Sequence, residues 1–164
     1  MVNIKPYVHE DWPVVEQIYK EGIETGNATF ETEPKSESQW LVSSMPDSRL
    51  VAWDWDNTIA GWAVMWPVSD RCCYAGVAEV SIYVGAHARG QGVGKVLLNA
   101  LVETSERMGY WTLQASILKE NKGSIGLHKS CGFRQIGIRE KLGELNGVWR
   151  DVVLMERRSK NIGR

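Results

Sequence analysis

No stretch of this 164-residue chain approaches the roughly 18 consecutive apolar residues of a membrane-spanning helix, so none is expected. The first residues, Met1-Val2-Asn3-Ile4-Lys5, lack the apolar core of a secretory signal, and the expected location is cytoplasmic. Charge of one sign is also missing: 19 Lys and Arg face 20 Asp and Glu, a net charge of −1, which gives no electrostatic footprint for nucleic acid or an anionic membrane. Only three cysteines occur. Cys72 and Cys73 are adjacent, a strained geometry for a disulfide, and the odd number cannot all pair. There is no CxxC pair, and His9, His87 and His128 are scattered, which argues against a structural metal site. Repeats, low-complexity segments and Gly/Ser/Pro-rich linkers are absent. One domain over residues 1–164 is expected, with 158–164 as a disordered tail.

What is present is a globular composition, 43% apolar and 24% charged, with eight tryptophans suited to core, interface or pocket walls. Residues 3–8 read as a strand. Glu10-Asp11-Trp12-Pro13 opens a helix whose ragged apolar face carries Val14, Ile18 and Ile23. Ser36-Glu37-Ser38-Gln39 is a capping box that opens a second helix, ending near Pro46. Strands follow over 49–55 and 58–66, then a loop at 67–76. Val77 to Val84 is a long strand with Val80, Ile82 and Val84 on one face and Glu79, Ser81 and Tyr83 on the other. Residues 92–108 give the clearest helical periodicity, closed by Gly109. A strand over 111–117 and a short helix over 121–131 come next, with Asn121 as N-cap and Gly132 past the end. The chain closes with strands at 133–141 and 148–156, turned at Asn146-Gly147. This order predicts an α+β (α/β) domain with one mixed, mostly antiparallel sheet.

The segment Arg89-Gly90-Gln91-Gly92-Val93-Gly94-Lys95 lies between the long strand and the strongest helix. Glycines opening a helix leave backbone N–H groups uncovered at the positive end of its dipole, which suits a pyrophosphate; a merely close-packed turn is the plainer alternative. Arg89 and Lys95 add charge. The spacing fails the Walker A pattern, because three residues separate Gly90 from Gly94 and Val96 follows Lys95. It also fails the dinucleotide fingerprint, because the third glycine comes one residue early. An acid at Glu79, in mid-strand, is costly unless paired or functional; a carboxylate there could take a proton from an amine, directly or through water. Asn121, Ser124 and His128 share one stripe of the short helix.

With Arg89, Gly92 and Gly94 the loop fits R-x-x-G-x-G, and the chain resembles the GNAT superfamily of acyl-CoA N-acetyltransferases. Within it, the resemblance is to the phosphinothricin and methionine sulfoximine acetyltransferase group. It covers nearly the whole chain: Ala28-Thr29-Phe30-Glu31, Ala78 to Val84, Ala88 to Gly94, Asn121 to His128, Gly132-Phe133 and Gly147-Val148-Trp149-Arg150-Asp151 fall in the family's order. The resemblance implies a GNAT domain with helices on both sheet faces and a splayed strand pair. Between those strands acetyl-CoA, the co-substrate, lies against the backbones of Ile82, Tyr83 and Val84, with Arg89, Gly90, Gln91, Gly92, Val93, Gly94 and Lys95 at its pyrophosphate and Asn121 and Ser124 along its pantetheine. Glu79 is implied as base and His128 as the group protonating the leaving thiolate. For the acceptor it implies Thr29, Phe30, Glu79, Val80 and Ser81, with Arg71 and Tyr74 from a loop that departs from better-known members in its Cys72-Cys73-Tyr74-Ala75-Gly76 run. None of the cysteines has a sequence neighbour that would make it a nucleophile, which favours direct attack by the amine. The expected activity is acetyl transfer to the amine of a small amino acid or analogue, by a homodimer. Acetylation of a protein N-terminus or lysine, and a non-catalytic acyl-CoA-binding sensor, remain as alternatives.

Overall fold

A computed structural model describes residues 1–164. Seven strands form one sheet in the order β1-β2-β3-β4-β5-β7-β6. They are β1 (Asn3–Pro6), β2 (Leu50–Trp53), β3 (Ile59–Pro67), β4 (Val77–Val84), β5 (Thr112–Leu118), β6 (Arg134–Leu145) and β7 (Val148–Arg158). Every neighbouring pair is antiparallel except β4 and β5. Four helices cover the faces: α1 (Trp12–Glu24), α2 (Glu37–Ser43), α3 (Val93–Arg107) and α4 (Lys122–Ser130). No helix is long and apolar enough to cross a membrane.

The two faces have separate cores. Val93, Leu97, Leu98 and Leu101 of α3 and Ile125 of α4 pack on Ala78, Val80, Leu113, Ala115 and Met155. On the opposite face Val15, Ile18 and Tyr19 of α1 and Trp40 of α2 pack on Val51, Trp62 and Val64. The face of α1 therefore runs through Val15, Ile18, Tyr19 and Gly22 rather than through Val14, which is exposed. Gly22 carries no hydrophobic signal, yet it is the contact point: a Cβ there would stand 2.5 Å from the Tyr83 ring. The capping box at α2 forms as expected, the Gln39 N–H donating to Ser36 Oγ at 3.2 Å and the Ser36 N–H to Gln39 Oε1 at 3.1 Å.

One expectation needs correction. The final hairpin is longer than its alternation suggested: β6 runs to Leu145 and β7 to Arg158, with most of β6 exposed and the register between them broken twice. Residues 159–164 lie against the body of the chain. Ser159 is buried, its N–H donates to Trp111 O at 2.8 Å, and its hydroxyl donates to Glu106 Oε1 at 2.7 Å. Arg158 donates to the carbonyls of Ile162 (2.8 Å) and Gly163 (2.5 Å), folding the end back toward Trp111.

Candidate active site

The parallel pairing of β4 with β5 stops early. Val77, Ala78 and Glu79 pair with Thr112, Leu113 and Gln114, and no pairing continues past Glu79. On its other edge β4 stays bonded to β3 all the way to Val84. Residues 80–84 thus present a bare strand edge across a gap from Ala115–Leu118, which is where an extended ligand can add like another strand.

Three cavities line up through this gap. A cleft of about 700 Å³ is walled by Ile82, Tyr83, Val84, Arg89, Gly90, Gly92, Val93, Gly94, Lys95, Asn121 and Ser124, together with Thr25, Asn27, Ala28 and Leu127. A junction of about 70 Å³ lies between the splayed strands, bounded by Val80, Ser81, Ser116, Ser124 and His128. A pocket of about 420 Å³ on the α1–α2 face holds Thr29, Phe30, Glu31, Lys35, Trp66, Glu79, Ser81 and Leu142. The cleft and the junction share Ala28, Ile82, Tyr83, Asn121 and Ser124; the junction and the pocket share Ala28, Val80, Ser81, Tyr83 and Ser116.

The glycine loop is built as a nest. Gly90 (φ +75°) and Gly92 (φ +83°) adopt left-handed conformations that side chains resist. Gly92 caps α3, and the amides of Val93, Gly94 and Lys95 take no partner within the chain. Three unpaired N–H groups at the positive end of a 15-residue helix make an anion cradle. Gly94 matters by its size: a Cβ there would lie 3.1 Å from Leu127 of α4. Gln91 is exposed and turns back to donate to His87 O at 3.1 Å, so it is not in the cleft wall.

Across the cleft, Asn121 caps α4, its Oδ1 accepting from the Ser124 N–H at 3.2 Å. Its Nδ2 donates to Asn27 O at 3.2 Å and so ties α4 to the loop after α1. Arg150 of β7 holds the same loop, donating to Gly26 O (2.9 Å) and Asn27 Oδ1 (2.6 Å) while pairing with Glu120 (2.9 Å).

Glu79 and His128 approach the junction from opposite faces of the sheet. Glu79 Oε1 accepts from Gln114 Nε2 at 3.0 Å and from Ser116 Oγ at 3.1 Å, both on β5. Its other oxygen, Oε2, has no partner in the protein. His128 is buried edge-on against Phe133, with 5.0 Å between ring centroids. Its Nδ1 lies 2.7 Å from the carbonyl oxygen of Ser124. A carbonyl only accepts, so Nδ1 carries the proton and Nε2 is an acceptor. Burial lowers the pKa of His128, although the carbonyl bond opposes that shift. A neutral imidazole with a bare Nε2 has no proton to give a thiolate, so a donor role requires a second proton that burial resists.

The pocket also holds groups that the sequence did not single out. Glu31 accepts from the Tyr19 hydroxyl and pairs with Lys35. Lys35 Nζ lies 5.6 Å from the centroid of the Trp66 ring, and Trp66 Nε1 donates to Ser81 Oγ at 2.8 Å. Burial and the neighbouring Glu31 carboxylate push the Tyr83 phenol up, keeping it neutral. Thr29 and Phe30 line this pocket. Arg71 and Tyr74 do not: both are exposed on a short turn, Arg71 stacked 5.4 Å over the Tyr74 ring. The positions of Glu31 in the segment 28–31 and of Arg150 in 147–151 were usable signals; nothing local marked Lys35 or Trp66.

Residues 12–133 match the family model described as "Acetyltransferase (GNAT) family". The phosphinothricin N-acetyltransferase of Alcaligenes faecalis is 34% identical over 156 residues, covering 90% of this chain and 78% of its own length. The L-methionine sulfoximine/L-methionine sulfone acetyltransferase of Pseudomonas aeruginosa is 29% identical, over 89% and 88%. The crystal structure of a GNAT superfamily phosphinothricin acetyltransferase from Sinorhizobium meliloti in complex with AcCoA superposes with a TM-score of 0.85 at 30% identity, over 96% of this chain and 88% of that one.

Proposed function

This chain belongs to the acetyltransferase (GNAT) family, and on that premise we propose that it moves the acetyl group of acetyl-CoA onto the amine of a small amino acid or amino-acid analogue. One observation carries the reading: the bare edge of β4 past Glu79 opens a continuous path from the glycine cradle to a pocket holding an oriented carboxylate. The cradle residues Gly92, Val93, Gly94 and Lys95 take the pyrophosphate, and the edge of residues 82–84 takes the pantetheine between itself and Asn121–Ser124. The acceptor enters from the pocket side and meets the thioester at the junction.

An α-amine, with a pKa of about 8, is mostly protonated near neutral pH and must lose a proton before it attacks. Glu79, oriented through Oε1 with Oε2 free, takes that proton directly or through one water. The C–N bond forms as the tetrahedral oxyanion develops; a backbone N–H on the edge of β4 stabilises it. The nitrogen then sheds its second proton to solvent as the C–S bond breaks, and CoA leaves as the thiolate. In the tautomer described above, His128 acts as an acceptor beside Ser124, and the thiolate takes its proton from solvent rather than from the imidazole. Cys131 is buried and Cys72 and Cys73 sit on the exposed turn, so direct attack needs no thiol.

The test is thiol release from acetyl-CoA across a panel of amino acids, sulfoximines, phosphinic acids, polyamines and short peptides. Release with amino acids and not with peptides supports the reading; release only with peptides moves the activity to protein acetylation. Absence of release with every amine reduces the chain to an acyl-CoA-binding protein. We further propose that two copies associate through β6, a 12-residue edge strand with exposed Ile136 and Ile138. Light scattering at micromolar concentration should give twice the monomer mass. The three free cysteines fit a cytoplasmic location.

A further inference from the structure

We propose that Lys35 is the one cationic anchor of the acceptor pocket, and that the acceptor is an α-amino acid with an uncharged side chain rather than one bearing a second anion. This rests on the transfer reading above and narrows its substrate. Among the pocket-lining residues the acids are Glu31 and Glu79, and the one basic side chain is Lys35. The arginines that could have supplemented Lys35 are engaged elsewhere. Arg71 lies on the exposed turn over Tyr74, and Arg150 is spent on Gly26, Asn27 and Glu120.

Lys35 is suitably placed for one carboxylate. Its ammonium has three donors, and Glu31 Oε1 takes one of them, while Glu31 Oε2 is occupied by Tyr19. The side chain is 32% exposed, so its remaining donors can be reached. Trp66 is the cross-strand partner of Glu79, which puts both side chains on one face, and Lys35 sits over the Trp66 ring. The cation and the base thus flank a single indole. A short zwitterion can meet both, its amine at Glu79 and its carboxylate at Lys35. Beyond them the walls are Phe30, Trp62, Leu118, Leu142 and Val152, which favour an uncharged side chain. A phosphinate or side-chain carboxylate would enter a pocket that already holds two acids for one cation, with nothing left to pair it.

Calorimetric titration with CoA present tests this, using methionine sulfone, its α-carboxamide and phosphinothricin as probes. Methionine sulfone should bind wild-type protein at least tenfold tighter than either of the others. Lys35→Met should erase the difference between acid and amide, and Lys35→Arg should keep it. Lys35 lies at the pocket rim outside the buried core, so a melting curve like that of the wild type is expected for both variants. Phosphinothricin binding as tightly as the sulfone overturns the proposal, as does an acid–amide difference that survives Lys35→Met. Thiol release on the same samples, with acetyl-CoA replacing CoA, separates the two readings. Lys35-dependent binding without release upholds the anchor and removes the transfer. Release that is indifferent to Lys35 upholds the transfer and removes the anchor.

Discussion

Gly143 lies in β6 opposite Arg150, with an ordinary backbone conformation, so alanine there introduces no backbone strain. What it introduces is a Cβ 2.9 Å from Phe30 Cε1 and Cζ and 3.3 Å from Cδ1. Carbon atoms rest at about 3.5–4.0 Å, so the ring edge must retreat by roughly 0.6–1 Å. It cannot retreat into the small cluster beneath it, where Leu118, Leu145 and Val152 are all buried. The free direction is the acceptor pocket, which Phe30 lines. Overpacking of this kind costs about 1–3 kcal/mol. If about 1.4 kcal/mol of it falls on the complex with acceptor, the acceptor KM rises about tenfold. The acetyl-CoA KM should stay within about twofold, because Phe30 is not in the cleft wall. Steady-state thiol release with each substrate varied in turn measures both constants, and a melting curve confirms folding. Adding Phe30→Leu should restore the acceptor KM by giving the methyl group room. A folded Gly143→Ala protein with wild-type acceptor KM would refute the claim that β6 sets the position of this ring.

Further outcomes follow from the same geometry. Glu79→Gln should lower kcat/KM by a hundredfold or more, the usual scale of general-base removal, and recover much of the rate at high pH where solvent supplies neutral amine; near-wild-type activity at pH 7 would take Glu79 out of the mechanism. Gly92→Val forces a β-branched side chain into φ +83° and obstructs the cradle, so the acetyl-CoA KM should rise at least tenfold; an unchanged constant in folded protein would reject this pyrophosphate site. Asn121→Ala loses a helix cap, costing about 1 kcal/mol of stability, and releases Asn27, so both a lower Tm and a weaker acetyl-CoA interaction are expected; a change in Tm alone would leave Asn121 a capping residue. Burial holds the pKa of His128 below its unfolded value, so the unfolded chain binds the proton more readily. Stability from this group is fully present above about pH 6.5 and falls by about 1.4 kcal/mol per unit as the pH drops toward the folded pKa. Denaturant titrations from pH 8 to pH 5 should show that slope, and His128→Phe should flatten it; an equal slope in the variant would assign it to other groups.

The parts of the fold read correctly from sequence are those whose signal is local. Val77–Val84 has its expected bounds because alternation alone places Glu79, Ser81 and Tyr83 on the face away from Val80 and Ile82. The glycine loop was legible because a nest needs left-handed residues at fixed offsets, and Gly90 and Gly92 supply them. The face of α1 was misjudged because its closest contact is made by Gly22, a residue that fits by having no side chain. Lys35 was not legible because nothing in its own segment places it over Trp66, 31 positions later; only the packing of the 25–35 loop on β3 does so. Arg71 came to the acceptor set only through the resemblance, in a loop that departs from better-known members; it caps a short 3-10 turn, exposed and stacked over Tyr74. The tautomer of His128 was not legible for a different reason: it is set by the carbonyl the ring meets, and the sequence does not show that a helix carbonyl four residues back will claim Nδ1.

The stretch from Asn27 to Phe30 is a wall held in common. Ala28 borders all three cavities, Asn27 is fixed from the cleft side by Asn121 and from the sheet by Arg150, and Thr29 and Phe30 line the pocket on the α1–α2 face. A ligand that tightens one side of this segment reduces the ordering that the other ligand must still impose. Cofactor and acceptor are then thermodynamically linked, and whatever factor saturating CoA applies to acceptor affinity, saturating acceptor must apply to CoA affinity. A cut at Arg150 should therefore weaken the reciprocal factor more than it weakens either ligand binding alone.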